Sequence, residues 1–560
     1  METGQLLLDR GLVEEHQLVQ ARAAGGDVMD QLIQMKHVDS MAAHQAIADE
    51  LHVDFVDLRN TETDLSLLEG FPLKIIYREL LFPVRREGDT LVVATSDPLN
   101  FYPLDEISSA TGLSVEPVLA ERAEIAKLIK THMGVGGETI DGLIEQKLSD
   151  GVELLEELEI DGSELSEQAQ EASVVRLVNE ILLEAIETRT SDVHIESQED
   201  GLVRYRIDGI LHSQPLPPEI THFRAAIISR LKIMAKLNIA EKRLPQDGRI
   251  KLRVKGRDVD VRVSVIPMIH GESLVMRILD KSAMKFELQS LGMSETTYKI
   301  FRQLISLPHG IILVTGPTGS GKTTTLYSSL IEINKPDVKI ITTEDPVEYQ
   351  LAGINQIQVH PKIGLTFAHS LRSILRHDPD VVLVGEIRDL ETAENAIQAS
   401  LTGHLVFSTL HTNDAAGAFN RMGDMGVEPF LVSSTVEAIM AQRLVRRLCT
   451  HCREPMKIKK DDAPEDFPWE KSKGQTIYKA VGCRHCRDVG YSGRLGIYEL
   501  LVTTDELREL ALNRASTWDI KKAAVANGMS TLRDDGWEKV LSGQTSIDEI
   551  VRITKGDRLS

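Results

Sequence analysis

The chain has 560 residues, a net charge of −22, 42% apolar and 26% charged residues. These are ordinary proportions for soluble globular protein, and the length calls for about three or four domains rather than one core. No apolar run approaches the roughly 18–20 residues that cross a bilayer, the opening METGQLLLDRGLVEEHQ lacks the pattern of a secretory signal, and the acidic balance opposes nucleic acid as the main substrate.

In chain order, residues 1–58 read as short amphipathic helices. LLLDRGLVEEHQLVQA and QLIQMKHVDSMAAHQAI form either a weak repeat of about 26 residues or simple helix–turn–helix packing. Residues 59–132 mix patterns: LLFPVRREGDTLVVATSDP gives two strands about a Glu-Gly-Asp turn, and AERAEIAKLIKTHM a helix. Between Gly136 and Ala172, 12 Asp and Glu face one Lys. An acidic flexible linker is expected over 133–172, with short helical pieces such as GVELLEELE.

Residues 173–285 open with a helical pattern, VVRLVNEILLEAIET, followed by the strand-like pieces SDVHIES, GLVRYRIDG, GRIKLRVKGRDVDVRVSVIP and SLVMRIL. The later pieces alternate charged and branched residues with a period of two, as a half-exposed antiparallel sheet requires. A compact α+β domain is expected here. From 286 to 560, GIILVTG, VKIITTED, DVVLVGEI and HLVFSTLH alternate with helices. Such apolar strands predict a parallel sheet buried on both faces, an α/β fold.

GPTGSGKTTT follows the first of these strands. Gly316, Gly321, Lys322 and Thr323 fit G-x-x-x-x-G-K-[ST]. The loop Gly316, Pro317, Thr318, Gly319, Ser320, Gly321 closes backbone N–H groups around phosphates. Lys322 is expected to reach the β- and γ-phosphates of ATP, and Thr323, followed by Thr324, to hold Mg²⁺ at a helix N-terminus. Glu386 ends the strand in HDPDVVLVGEIRD, where a second metal-side carboxylate sits. TTEDPVEY offers Glu344, Asp345 and Glu348, with Pro346 forcing a turn, so that at least one carboxylate can face the γ-phosphate and position water. In TGHLVFSTLHTND, His404 and His411 at the two ends of a short strand are candidates for γ-phosphate sensing. Cys449 and Cys452, then Cys483 and Cys486, form two CxxC pairs, the spacing of a structural four-thiolate Zn²⁺ site; redox chemistry is the rival, but two pairs flanked by Arg suit a zinc clip better. His451 and His485 are spare ligands, so a mixed set stays open.

Together these motifs resemble the secretion ATPase superfamily that powers type II secretion and type IV pilus assembly, over about 173–555. GPTGSGKTTT, TTEDPVEY, DPDVVLVGEIRD and TGHLVFSTLHTND are similar to its Walker A, Asp, Walker B and His boxes. The resemblance implies a RecA-like P-loop ATPase domain over 286–560, with the zinc element at about 445–495 and a C-terminal helical part. It also implies a preceding PAS-like domain and small N-terminal docking domains. The tetracysteine element is shared by the secretion and pilus-extension branches and not by retraction. LRSILRHDPDVVLVGEIRD and MGVEPFLVSSTVEAIMAQRLVRRLC look closer to the type II secretion branch. Some relatives bind cyclic di-GMP through a repeat opening with Arg-Leu-Gly. Here the opening is LLLDRGLVEE and the second copy has no matching glycine, so that binding is not expected.

The resemblance further implies a homo-hexamer in which arginines from elsewhere complete the ATP site: Arg204 and Arg206, with Arg230 and Arg249 as further candidates. It implies Glu348 as the residue polarising water, with Glu344 as rival. The expected partners are an inner-membrane platform protein and a membrane-anchored adaptor with a cytoplasmic domain, so the chain would sit at the inner face of the cytoplasmic membrane. A hinge is expected near Lys281–Leu288. Two other classes are weighed beside the motor: a nucleic-acid translocase, opposed by the charge, and a non-hydrolysing scaffold, opposed by the full set of acidic boxes.

Overall fold

The computed structural model of the chain describes residues 3–24, 28–35, 37–59, 61, 63–72, 75–76, 79–98, 100–133, 152–154, 172–197, 202–214, 220–280, 286–460 and 463–554. The chain forms two units, Met1–Asp280 and Lys281–Ser560. No helix among the described residues is long and apolar enough to cross a membrane.

The first unit opens with four helices, Thr3–Asp9, Glu15–Ala24, Val28–Gln34 and Ser40–Leu51. The helices Glu15–Ala24 and Val28–Gln34 pack on each other, and Thr3–Asp9 packs on Ser40–Leu51, around Leu7, Leu18 and Leu32, which are buried. Strands β1 (Phe82–Glu87) and β2 (Thr90–Thr95) are antiparallel across the Gly88–Asp89 turn. Strand β3 (Ser114–Leu119) joins β2 in parallel, through the helix Phe101–Thr111.

Of the linker, the described residues Val152–Leu154 form strand β4, which corrects the expected helical piece in GVELLEELE. They pair antiparallel with β8 (Gln246–Val254), Glu153 standing opposite Arg253. An open sheet edge outweighs the helix propensity of a few Leu and Glu. The rest of 134–171 lies outside the described residues, as do 281–285 of the expected hinge.

The larger sheet of this unit has the order β4-β8-β9-β10-β5-β6-β7. Its other strands are β5 (Asp192–Glu196), β6 (Leu202–Ile207), β7 (Ile210–Ser213), β9 (Arg257–Met268) and β10 (Gly271–Asp280). All its pairings are antiparallel. Ile250, Leu252 and Val254, then Val259, Val261, Val263 and Val265, point to one core with residues of the helices Ala172–Glu187 and Ile220–Met234. The period of two anticipated in the sequence is this one-sided burial.

The second unit is built on the sheet β13-β12-β14-β15-β11-β16-β19. Strands β11 (Gly310–Thr315), β12 (Ile340–Glu344), β13 (Asn355–Gln358), β14 (Val381–Val384), β15 (Leu405–Leu410) and β16 (Val436–Leu448) are mutually parallel, β17 (Glu454–Met456) and β18 (Ile477–Lys479) form a separate antiparallel pair, and β19 (Tyr491–Val502) runs antiparallel to β16. Every residue of β11, β12, β14 and β15 is buried. Parity divides the apolar runs between two cores: Ile311, Leu313, Val382 and Val384 face one, and Ile312, Val314, Val381 and Leu383 the other. This is the signature of helices on both faces, forced by parallel crossovers.

The helix Ile547–Ile553 fastens onto β16 through Glu549, which is 1% exposed. Arg446 of β16 donates Nε and Nη2 to Glu549 Oε2 at 3.1 and 2.9 Å, and Arg552 adds two more bonds. Burial alone would raise this carboxyl; the Arg552 and Arg446 hydrogen bonds outweigh it and hold its pKa below the ordinary Glu value. A folded-state pKa below the unfolded one gives stability that is present above the ordinary Glu range and is lost as the pH falls through the lowered value. Glu549→Ala leaves Arg446 uncompensated and is expected to cost about 3–5 kcal/mol. Denaturant melts at pH 7 check this, and the gap between variant and wild type narrows on acidification.

Candidate active site and metal centre

In a parallel sheet, ligands sit beyond the carboxyl ends of the strands, where the connections diverge. Strand β11 lies between β15 and β16, and the chain leaves it toward β12 on one side and returns as β16 on the other. The loop Gly316–Gly321 sits at that divergence. Gly316, Gly319 and Gly321 have φ of 148°, 79° and 90°. A Cβ at Gly316 would lie 2.5 Å from the Gln442 carbonyl oxygen, so the close seat of this loop against β16 requires glycine. Pro317, Thr318 and Gly319 are exposed, Ser320 is buried, and the helix Lys322–Ile333 begins directly behind, with Thr323 exposed and Thr324 half-buried in its first turn. The helix end and loop N–H groups make an anion seat.

Lys322 Nζ donates to the Gly316 and Pro317 carbonyls at 2.7 and 3.2 Å. Burial lowers the pKa of its ammonium, Glu386 opposes that shift, and Arg443 adds to it. Glu386 lies two residues past β14 and is largely buried. Arg388 pairs with it at 2.5 Å, and His411 Nε2 is 3.4 Å from its Oε2. Thr315 ties the end of β11 to the loop after His411, its Oγ1 2.6 Å from Thr412 Oγ1. Lys322, Glu386 and His411 therefore converge on one sheet edge.

His404 does not join them. In the β11–β15 register Gly310 faces Leu405 and Thr315 faces Leu410, so His404 lies at the opposite edge, about 20 Å away at ~3.3 Å per residue. Its Nδ1 is 2.8 Å from the Ala399 carbonyl, capping the end of the helix Leu390–Leu401. The two histidines expected at the nucleotide site therefore part, His411 lying at the edge that carries the phosphate loop and His404 at the opposite one.

The two Asp-box glutamates also part. Glu344, 5% exposed, accepts hydrogen bonds from Tyr327 Oη, from Thr342 Oγ1 at 2.5 Å and from Gln356 Nε2 at 3.1 Å. Its carboxylate serves the core. Past the cis Asp345–Pro346 bond, Glu348 is half-buried, and its backbone N–H donates to Tyr327 Oη at 3.3 Å.

One neighbour of the phosphate loop escaped the sequence reading. Arg443 on β16 donates to the Gln442 carbonyl at 3.1 Å and the Asn413 carbonyl at 2.8 Å. Its Nη1 lies 3.1 Å from where a Cβ on Gly316 would stand. It is a second cation at the loop, and only the β11–β16 pairing reveals it; the sequence signal was an arginine inside an apolar strand.

Of the arginine candidates, Arg204 and Arg206 sit two apart on β6, paired with Glu196 and Asp192. Arg249 on β8 is exposed, and Arg230 is 7% exposed on the helix Ile220–Met234.

The antiparallel β16 and β19 carry the cysteines at their shared end, Cys449 just after β16 and Cys486 five residues before β19. The four sulfurs lie within 4.8 Å of one another, and all four thiols are free. Cys449–Cys483, Cys452–Cys486 and Cys483–Cys486 are 3.9, 3.7 and 3.7 Å apart. A tetrahedron with Zn–S near 2.3 Å has edges of about 3.8 Å. Backbone N–H groups of Cys483 and Gly490 point at Cys486 Sγ from 3.2 and 3.1 Å, suited to a thiolate. His451 and His485 stack on each other, 4.1 Å between centroids, and are not in the four-atom cluster.

A RecA-like parallel sheet with a phosphate loop at its divergence point, a strand-end carboxylate beside the loop lysine, and a four-thiol cluster defines a P-loop nucleotide-binding unit. Residues 167–552 match the family described as Type II/IV secretion system protein, and the chain belongs to that family. Residues 51–139 match the MshEN domain. The chain is 42% identical to the Type IV pilus assembly ATPase PilB of Myxococcus xanthus (strain DK1622), over 99% of each chain. It is 44% identical to the Type II secretion system protein E of Xanthomonas campestris pv. campestris, over 98% of each. It is 52% identical to the Type II secretion system ATPase E of Vibrio cholerae serotype O1, over 70% of this chain and 77% of that one.

Proposed function

We propose that the chain is a cytoplasmic motor ATPase of type II secretion, hydrolysing ATP to ADP and phosphate to drive pseudopilus assembly and protein export. The observation that carries the reading is the convergence of Lys322, Glu386 and His411 on the sheet edge where the phosphate loop lies. The loop N–H groups and Lys322 grip the β- and γ-phosphates, and Thr323 and Glu386 are the residues to hold Mg²⁺, which neutralises charge as the γ-phosphoryl group transfers. Glu348 orients the attacking water. Glu386 Oε2 lies 3.4 Å from His411 Nε2 and so sits beside an imidazole that can report the γ-phosphate.

In a homo-hexamer, Arg204, Arg206 and Arg249 are the arginines suited to complete a neighbour's site, and Arg230, being buried, is suited to shaping its own unit. The four thiolates fit Zn²⁺ held structurally, because no coordination position is left open. The partners are an inner-membrane platform protein and a membrane-anchored adaptor, met through the N-terminal domains, with the chain peripheral to the membrane. Nucleic acid is not a substrate.

The 52% identity to the Vibrio cholerae relative supports type II secretion. Pilus extension is the second reading, favoured by the 42% identity to PilB over 99% of both chains. A chromosomal Lys322→Ala variant in the native host separates them. Exported enzymes retained inside the cell, with surface pili normal, support secretion. Loss of surface pili with export normal overturns it in favour of pilus extension.

A further inference from the structure

We infer that Tyr327 is a positioning residue that fixes the Glu348 loop relative to the phosphate grip, through its hydroxyl. The inference rests on the reading of Glu348 as the water-orienting carboxylate. Tyr327 lies in the second turn of the helix that opens with Lys322, and its side chain is fully buried. A phenol has one proton to give. Here that proton goes to the Glu344 carboxylate, and the oxygen's lone pair receives the Glu348 N–H at 3.3 Å. Thr342 and Gln356 hold the other Glu344 oxygen, so the acceptor is itself fixed.

The ring cannot swing away. Phe286 and Tyr349 stand 5.7 and 6.5 Å from it at steep angles, and 5.6 Å from each other. Burial, and then the Glu344 charge, push the phenol's pKa well above its ordinary value, so the donor keeps its proton across the working pH range. One rigid helix thus carries Lys322 at its mouth and, five residues on, the hydroxyl that holds the backbone of Glu348. Nothing in TTTLYSSLIEI marks this role, because an apolar helical position accounts for the tyrosine by packing alone.

The test uses the full chain and three variants, with kcat and KM for ATP and the dissociation constant of a fluorescent ATP analogue measured for each. Tyr327→Phe keeps the ring and removes the hydroxyl. Its kcat is expected to fall about 10–100-fold, the scale of a small misplacement of a reacting group, with KM and analogue binding within about twofold. Thr342→Val removes another donor to the same Glu344 carboxylate and leaves the Glu348 N–H bond in place. It is expected to stay within about threefold of wild type in kcat, in line with one modest net hydrogen bond. Glu348→Gln supplies the reference.

Wild-type kcat in Tyr327→Phe, beside collapse in Glu348→Gln, overturns the inference alone. An equal fall in Tyr327→Phe and Thr342→Val also overturns it, because the effect then belongs to the satisfaction of Glu344. Wild-type turnover in Glu348→Gln overturns the reading of Glu348 and this inference with it.

Discussion

Glu348→Gln lowers kcat for ATP by about 10²–10³-fold and leaves ATP binding intact, while Glu344→Gln lowers kcat by about tenfold at most. The two residues are equivalent candidates in TTEDPVEY, and their surroundings separate them. Glu344 is nearly fully buried and committed to three donors, from Tyr327, Thr342 and Gln356. An amide in its place keeps one oxygen to accept from Thr342 and Gln356, and its NH2 can donate to the Tyr327 hydroxyl oxygen, whose proton rotates away. Glu348 lies past the turn on the half-buried side, and an amide there cannot draw charge onto an attacking water. Phosphate release gives kcat, and a fluorescent ATP analogue gives binding. A larger loss in Glu344→Gln than in Glu348→Gln reverses the two assignments.

Zinc removal gives the second large effect. Purified reduced chain is expected to contain one zinc per chain by elemental analysis. A strong chelator, or Cys486→Ser, is expected to destabilise the second unit by about 3 kcal/mol or more, lowering its Tm by ~6–12 °C. The four thiols close the far end of the β16–β19 pair, and β16 also carries Gln442 and Arg443 beside the phosphate loop. Loosening that end loosens the wall behind the nucleotide, so ATP affinity falls together with Tm. Chain that is metal-free as purified, with a Tm indifferent to chelator, overturns the zinc assignment.

Much of this arrangement was legible in the residues. The continuous apolar runs GIILVT and VVLV, alternating with helical stretches, read as strands covered on both faces, and the two cores divide them by parity. The two CxxC pairs, 30 residues apart, meet because β16 and β19 are long and antiparallel.

What escaped depended on pairing rather than composition. His404 and His411 flank one strand and look alike in sequence, but a parallel sheet gathers its ligands at one edge, so strand direction excludes His404. GVELLEELE has helix-forming residues, and an available edge on β8 overrides that propensity at Val152–Leu154. Arg443 and Tyr327 each sit inside an ordinary apolar pattern. Their roles come from which strand lies beside β11 and from where a single hydroxyl points.

The most direct measurement is steady-state ATP turnover of the purified full chain. It is taken alone, with duplex DNA, and with the cytoplasmic domain of the candidate membrane adaptor on vesicles containing acidic lipid. The account predicts turnover that rises with the adaptor, ignores DNA and collapses in Glu348→Gln. Stimulation by DNA, or tight ATP binding with no turnover under any condition, would contradict it.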